Sequence, residues 1–81
     1  FPNLKLALDA SIAGQSATTV LNASNEIAVA AFLNGQISFN DIAKYNEQSL
    51  AALATEPSKT LSDILTLDQQ ARYIAKQAMN L

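Results

Sequence analysis

The sequence contains no cysteine and no histidine. Without cysteine there is no disulfide, no thiolate nucleophile and no cysteine-based metal site, and the composition fits a reducing compartment. Without histidine, the usual general base near neutral pH and the commonest zinc ligand are both missing. Positive charge is sparse: five basic residues are spread along the chain against seven acidic ones, for a net charge of −2. No basic patch meets a phosphate backbone, which argues against a nucleic-acid partner. The two glycines, Gly14 and Gly35, are isolated turn residues and not a phosphate-cradling loop, so this segment carries no dinucleotide fingerprint. The longest uninterrupted apolar run, Ile27 to Leu33, is far too short to span a bilayer, which argues against a membrane partner. No charged stretch followed by a long apolar core marks a signal peptide.

What remains is a chain of 81 residues, the size of one domain. A domain this small buries only roughly 60 % of the surface its unfolded chain exposes, so its margin of stability is thin. The chain opens at Phe1 and not at methionine, which suggests a segment of a longer polypeptide. Helical spacing dominates, and no period-two alternation is long enough for a strand. Leu4, Leu8 and Ile12, with Leu6 and Ala7 beside them, predict a helix over Leu4–Ala13 that Gly14 stops. Ser16 reads as the N-cap of a long helix, Ala17–Leu33, ended by Asn34-Gly35. Ser38 and Asp41 open a third helix, Phe39–Ala54, stopped at Glu56-Pro57. Thr60 and Asp63 form a capping pattern over a short turn near Leu61–Leu65. Asp68 then caps a last helix, Gln69–Met79, with Ala71, Ile74, Ala75 and Ala78 as its buried stripe and Arg72 and Lys76 on the wet side. The alanines let helices approach closely, and the loops are short. The expected fold is all-α: a small bundle or superhelix of four to five helices.

The most informative stretch is Leu21 to Leu33, a helix with two characters. Its first half carries Asn22, Asn25 and Glu26 on adjoining turns. Its second half, from Ile27 on, is apolar all round, which predicts burial on most sides. Amides and carboxylates that run into such a segment need partners. One reading is a polar surface that docks another domain or reaches a ligand. The other is internal hydrogen bonding, with the asparagines tying down neighbouring groups and Glu26 answering a lysine or a helix N-terminus. Catalysis is the weakest reading, because no histidine, cysteine or second paired acid poises a base. Asn22-Ala23-Ser24 matches a glycosylation acceptor by chance, inside a helix and without a secretory signal. The acids are scattered, with no Asp-x-Asp spacing for a metal. Phe1, Phe32, Phe39 and Tyr45 are expected in the core.

Three segments carry a family resemblance: Phe1-Pro2-Asn3-Leu4-Lys5-Leu6-Ala7, then Leu21-Asn22-Ala23-Ser24-Asn25-Glu26-Ile27-Ala28-Val29-Ala30-Ala31-Phe32-Leu33, then Ile37-Ser38-Phe39-Asn40-Asp41-Ile42. Together they resemble the C-terminal domain of 1-deoxy-D-xylulose 5-phosphate reductoisomerases, and the tail from Leu67-Asp68 fits as well. The family usually has alanine where this chain has Ser24. The resemblance implies a parent enzyme that converts 1-deoxy-D-xylulose 5-phosphate to 2-C-methyl-D-erythritol 4-phosphate in non-mevalonate isoprenoid biosynthesis. It implies NADPH and a divalent metal (Mg²⁺ or Mn²⁺) as the parent's cofactors, held by nucleotide-binding and catalytic domains that this chain does not contain. It further implies a bacterial cytoplasmic homodimer, in which residues 1–81 form a single helical C-terminal domain that packs against and supports the catalytic domain. No catalytic, cofactor-binding or metal motif of the family maps onto this chain, so the fragment is expected to hold no cofactor and to be inactive alone. Asn22, Asn25 and Glu26 are expected at or near the docking surface. The competing expectation is a free-standing helical adaptor that binds a partner helix.

Overall fold

The computed structural model describes residues 1–53 and 58–81, with the backbone alone at 10–13. Among the described residues there are four helices and no strand: α1 (Pro2–Ala13), α2 (Gln15–Leu33), α3 (Phe39–Leu53) and α4 (Leu61–Ala78). The all-α expectation holds, and the helix boundaries explain themselves locally. Pro2 begins α1 because its missing N–H is one that a first turn leaves unpaired anyway. Gly14 alone joins α1 to α2, at φ 110° and ψ −171°, a region open to glycine and closed to other residues. That single-residue hinge corrects the expected cap: Ser16 lies inside α2, and its hydroxyl donates to Ser58 Oγ at 2.8 Å.

Two helix ends share one device. After α2, Gly35 N–H donates to Phe32 O and Gln36 N–H to Ala31 O, at 3.0 and 2.9 Å. After α4, Asn80 N–H donates to Gln77 O and Leu81 N–H to Lys76 O, at 3.2 and 2.9 Å. Both are Schellman endings, and their left-handed residues are Gly35 (φ 73°) and Asn80 (φ 60°).

The expected break between a short turn at Leu61–Leu65 and a helix from Gln69 does not occur, because α4 runs through both. Thr60 and Asp63 cap each other reciprocally, which nucleates the helix. No glycine or proline interrupts it afterwards, and buried Leu67 anchors the junction. Asp68 therefore caps nothing. It sits mid-helix, one turn before Arg72. The expected end of α3 at Ala54 and the stop at Glu56-Pro57 lie outside the described residues.

Helix α2 is the central element and packs against α1, α3 and α4. Its buried side chains are small: Ala17, Val20, Ala23, Ser24, Ala28 and Ala31, with Leu21 the largest. They meet Ile42 of α3 and an i, i+4 stripe of α4: Leu67, Ala71, Ala75 and, just past its end, Met79. Of the expected stripe, Ala71 and Ala75 are fully buried, while Ile74 is half-buried and Ala78 exposed, their places taken by Leu67 and Met79. A core of alanines brings backbones together and leaves no room for rings. Phe1 and Phe39 accordingly lie outside it, Phe32 is at its edge, and Tyr45 is half-buried. The apolar half of α2 is not buried on most sides either: Ala28 and Ala31 are covered, while Ala30 and Leu33 are exposed. On α1 the inward leucine is Leu6, against Ala17 and Leu21, while Leu4 and Leu8 face out.

Candidate functional site

Asparagine on an otherwise apolar helix face must find partners or unfold the face, since an unpaired buried amide costs about 1–3 kcal/mol. Asn46 stands on the inner stripe of α3, one turn after Ile42, and is fully buried. Its amide satisfies itself across three helices. Nδ2 donates to Asn3 Oδ1 on α1 at 3.1 Å and to Asn25 Oδ1 on α2 at 3.0 Å. Oδ1 accepts from Ser24 Oγ on α2 at 2.9 Å. All partners are neutral, so the node is indifferent to pH and takes up no proton in chemistry. Beside it lies a hollow of about 140 Å³, lined by Asn3, Ala7, Leu21, Asn22, Asn25 and Asn46.

The three residues singled out from sequence therefore part company. Asn25 enters the buried node. Glu26 is exposed and pairs with Arg72 Nη2 across to α4. Asn22 is exposed at the rim of the hollow. Arg72 is shared: its Nε also donates to Asp68 Oδ2 at 2.9 Å. The hydrogen bonds from Arg72 to Asp68 first, and to Glu26 second, hold its guanidinium charged well above the ordinary arginine value. The partner of Glu26 is thus an arginine and not a lysine or a helix N-terminus. Sequence reasoning missed Asn46 as the partner of Asn25, and Asn3 as the second acceptor on Asn46. The available signal was Asn46 itself, an amide one helical turn after Ile42 on the inner row of α3.

Nothing else converges. Among the described residues, no three acids gather as metal ligands. No described helix is long and apolar enough to cross a membrane. A hollow of about 430 Å³ between α3 and α4 is lined in part by Leu53, Ser58 and Asp63. Ser49, also on the inner face of α3, has a buried hydroxyl with no hydrogen-bond partner among the described residues. The contacts described at these sites hold helices together.

Comparison with known proteins supplies what the geometry does not. Residues 1–74 match the family described as the DXP reductoisomerase C-terminal domain. The 1-deoxy-D-xylulose 5-phosphate reductoisomerase of Shewanella halifaxensis is 60 % identical over 79 residues, covering 98 % of this chain and 20 % of the relative. That of Shewanella pealeana is 57 % identical over 79 residues, with the same coverage. That of a Haemophilus influenzae strain is 55 % identical over 76 residues, 94 % of this chain and 19 % of the relative. The chain spans about a fifth of the length of the curated relatives it matches.

Proposed function

The chain belongs to the DXP reductoisomerase C-terminal domain family, and on that premise we propose that it serves as the helical C-terminal domain of an enzyme converting 1-deoxy-D-xylulose 5-phosphate to 2-C-methyl-D-erythritol 4-phosphate. The observation that carries this reading is identity of 55–60 % along nearly the whole chain to proteins named as that reductoisomerase. In this reading the parent is a bacterial cytoplasmic homodimer that uses NADPH and Mg²⁺ or Mn²⁺. The rest of the polypeptide holds both cofactors, since the donor set here does not fit them. The glycines are isolated, and no acids gather among the described residues.

The domain's part is mechanical: it packs against the catalytic domain and supports it, and it is inactive alone. Asn25 contributes by anchoring α1 through Asn46 and Asn3. Glu26 contributes by tying α2 to α4 through Arg72. Asn22, exposed at the rim of the hollow, meets the neighbouring domain.

The test is NADPH oxidation with 1-deoxy-D-xylulose 5-phosphate and Mg²⁺, run on the full-length polypeptide and on the 81-residue chain side by side. Turnover by the full-length polypeptide and none by the chain is the expected result. No turnover by the full-length polypeptide overturns the assignment and brings forward the free-standing adaptor. Turnover by the chain alone overturns the supporting role.

A further inference from the structure

We propose that the preceding part of the same polypeptide seats on one outward face of this domain, formed by Phe1, Leu4 and Leu8 at α1, Phe39 of α3, and Phe32 and Leu33 at the end of α2. This rests on the reading of the chain as a reductoisomerase C-terminal domain. Helix α1 is apolar on opposite sides. At 100° per residue Leu4 and Leu8 share one side, while Leu6 points the other way, into Ala17 and Leu21. Leu4 and Leu8 are more than half exposed. A helix apolar on two sides is built to lie between two bodies, and only one of them is present.

The face is continuous. Phe1 and Phe39 line one shallow recess of about 90 Å³, floored in part by Pro2 and Ala43. The Phe39 ring meets Phe32 edge to face, with centroids 5.6 Å apart and planes at 69°. Leu33 beside it is 75 % exposed. The charges at the flank cancel locally, Lys5 Nζ lying 3.2 Å from Asp9 Oδ2. Each aromatic side chain buries about 150–250 Å² when covered, so Phe1 and Phe39 supply a large share of the roughly 600 Å² that a small interdomain interface needs. On α4 the exposed row of Leu61, Leu65 and Tyr73 is broken by Gln69, which takes the place between Leu65 and Tyr73.

The occupant follows from length and connection. The relatives are about five times as long as this chain, and in a C-terminal domain that remainder comes first. It therefore joins at Phe1, inside the face itself, so its nearest residues meet the patch at very high effective concentration.

The experiment places single cysteines in the full-length polypeptide at two exposed positions, Asn40→Cys beside the recess and Gln69→Cys on the outer side of α4. Maleimide labelling is followed peptide by peptide by mass spectrometry. Labelling at residue 40 is expected to be about tenfold slower than at residue 69, and the ratio to approach one in the 81-residue chain alone. Adding Phe39→Asp to the full-length protein is expected to restore fast labelling at residue 40. Equal rates in the full-length protein, or slow labelling at residue 69 alone, overturn the proposal. So does protection at residue 40 in the isolated chain with a doubled mass in sedimentation, which gives the face to a second copy. The labelling ratio is independent of turnover, so loss of the reductoisomerase assignment and loss of this docking face are separate results.

Discussion

Replacing Asn46 by alanine tests whether one buried amide holds three helices in register. The side chain is fully buried and bonds to Ser24, Asn25 and Asn3 at 2.9, 3.0 and 3.1 Å. Each such bond contributes about 0.5–1.5 kcal/mol net. Asn3 and Asn25 are half-buried, and water can replace the lost donor. Ser24 has no exposure, so its hydroxyl is stranded at a cost of about 1–3 kcal/mol. The three bonds share one side chain and are not independent, so the expected loss is about 2–4 kcal/mol. A domain of this size has roughly 4–12 kcal/mol in total, and the loss corresponds to a fall in Tm of about 10–25 °C. Urea unfolding followed by circular dichroism should show a lower midpoint with an unchanged slope. Hydrogen exchange should rise in α1 more than in α4, because Asn3 is the α1 member of the node. Adding Ser24→Ala should then cost less than it does in the wild type, by about 1 kcal/mol, because the stranded hydroxyl is removed. A loss below about 0.5 kcal/mol, or strict additivity with Ser24→Ala, would refute the reasoning.

Four further outcomes follow from the same packing. Ser49→Ala should raise stability by about 0.5–1 kcal/mol in urea unfolding, since it removes an unpartnered buried hydroxyl and improves helix propensity. Ala75→Leu should lower it by about 1–3 kcal/mol or more, because the alanine is fully buried at the α2–α4 contact, and the loss should appear in the same unfolding midpoint. Glu26→Ala should cost at most about 1 kcal/mol by thermal unfolding: the Glu26 carboxylate is exposed, and Arg72 keeps Asp68. Asp41 accepts from the Ser38 backbone N–H at 3.0 Å, and the backbone and side-chain hydrogen bonds of Ser38 hold its carboxyl below the usual aspartate value. A depressed native pKa means its stabilisation is present above about pH 4 and fades as pH falls through the native value. An NMR titration midpoint for Asp41 at or above the free-aspartate value would contradict this.

Element type was readable from sequence wherever local chemistry acts alone. The Thr60/Asp63 box, the Ser38/Asp41 start and the turn at Asn34-Gly35 are each short-range, and the structure has all three. Length was less readable, because continuity depends on burial elsewhere. Asp68 looks like a cap in isolation, yet buried Leu67 carries α4 straight past it. The polar cluster was half visible. Asn25 and Glu26 advertise a need for partners, but the partners lie 21 and 46 residues away in sequence, on α3 and α4, and no local rule pairs Asn25 with Asn46 or Glu26 with Arg72. Ser24, where the resembled family usually has alanine, donates directly to Asn46 and adds a bond that alanine cannot make.

The misplaced aromatics have a different cause. Hydrophobicity identifies a residue that wants cover, and a single-chain reading assumes the cover comes from the same chain. Here α2 meets its neighbours through alanines, and Phe1 and Phe39 stand outside that contact. If the alanines were a compromise for an undersized core, exchanging them for larger residues would improve packing and the rings would be surplus. The fully buried Ala23, Ala28, Ala71 and Ala75 leave no such space. The small core and the exposed rings are then one arrangement: tight helix approach inside keeps the domain compact, and the large apolar side chains are left for an outer surface. On the docking face proposed above, the apolar residues that sequence assigns to the core and structure leaves outside are the ones the preceding polypeptide would cover.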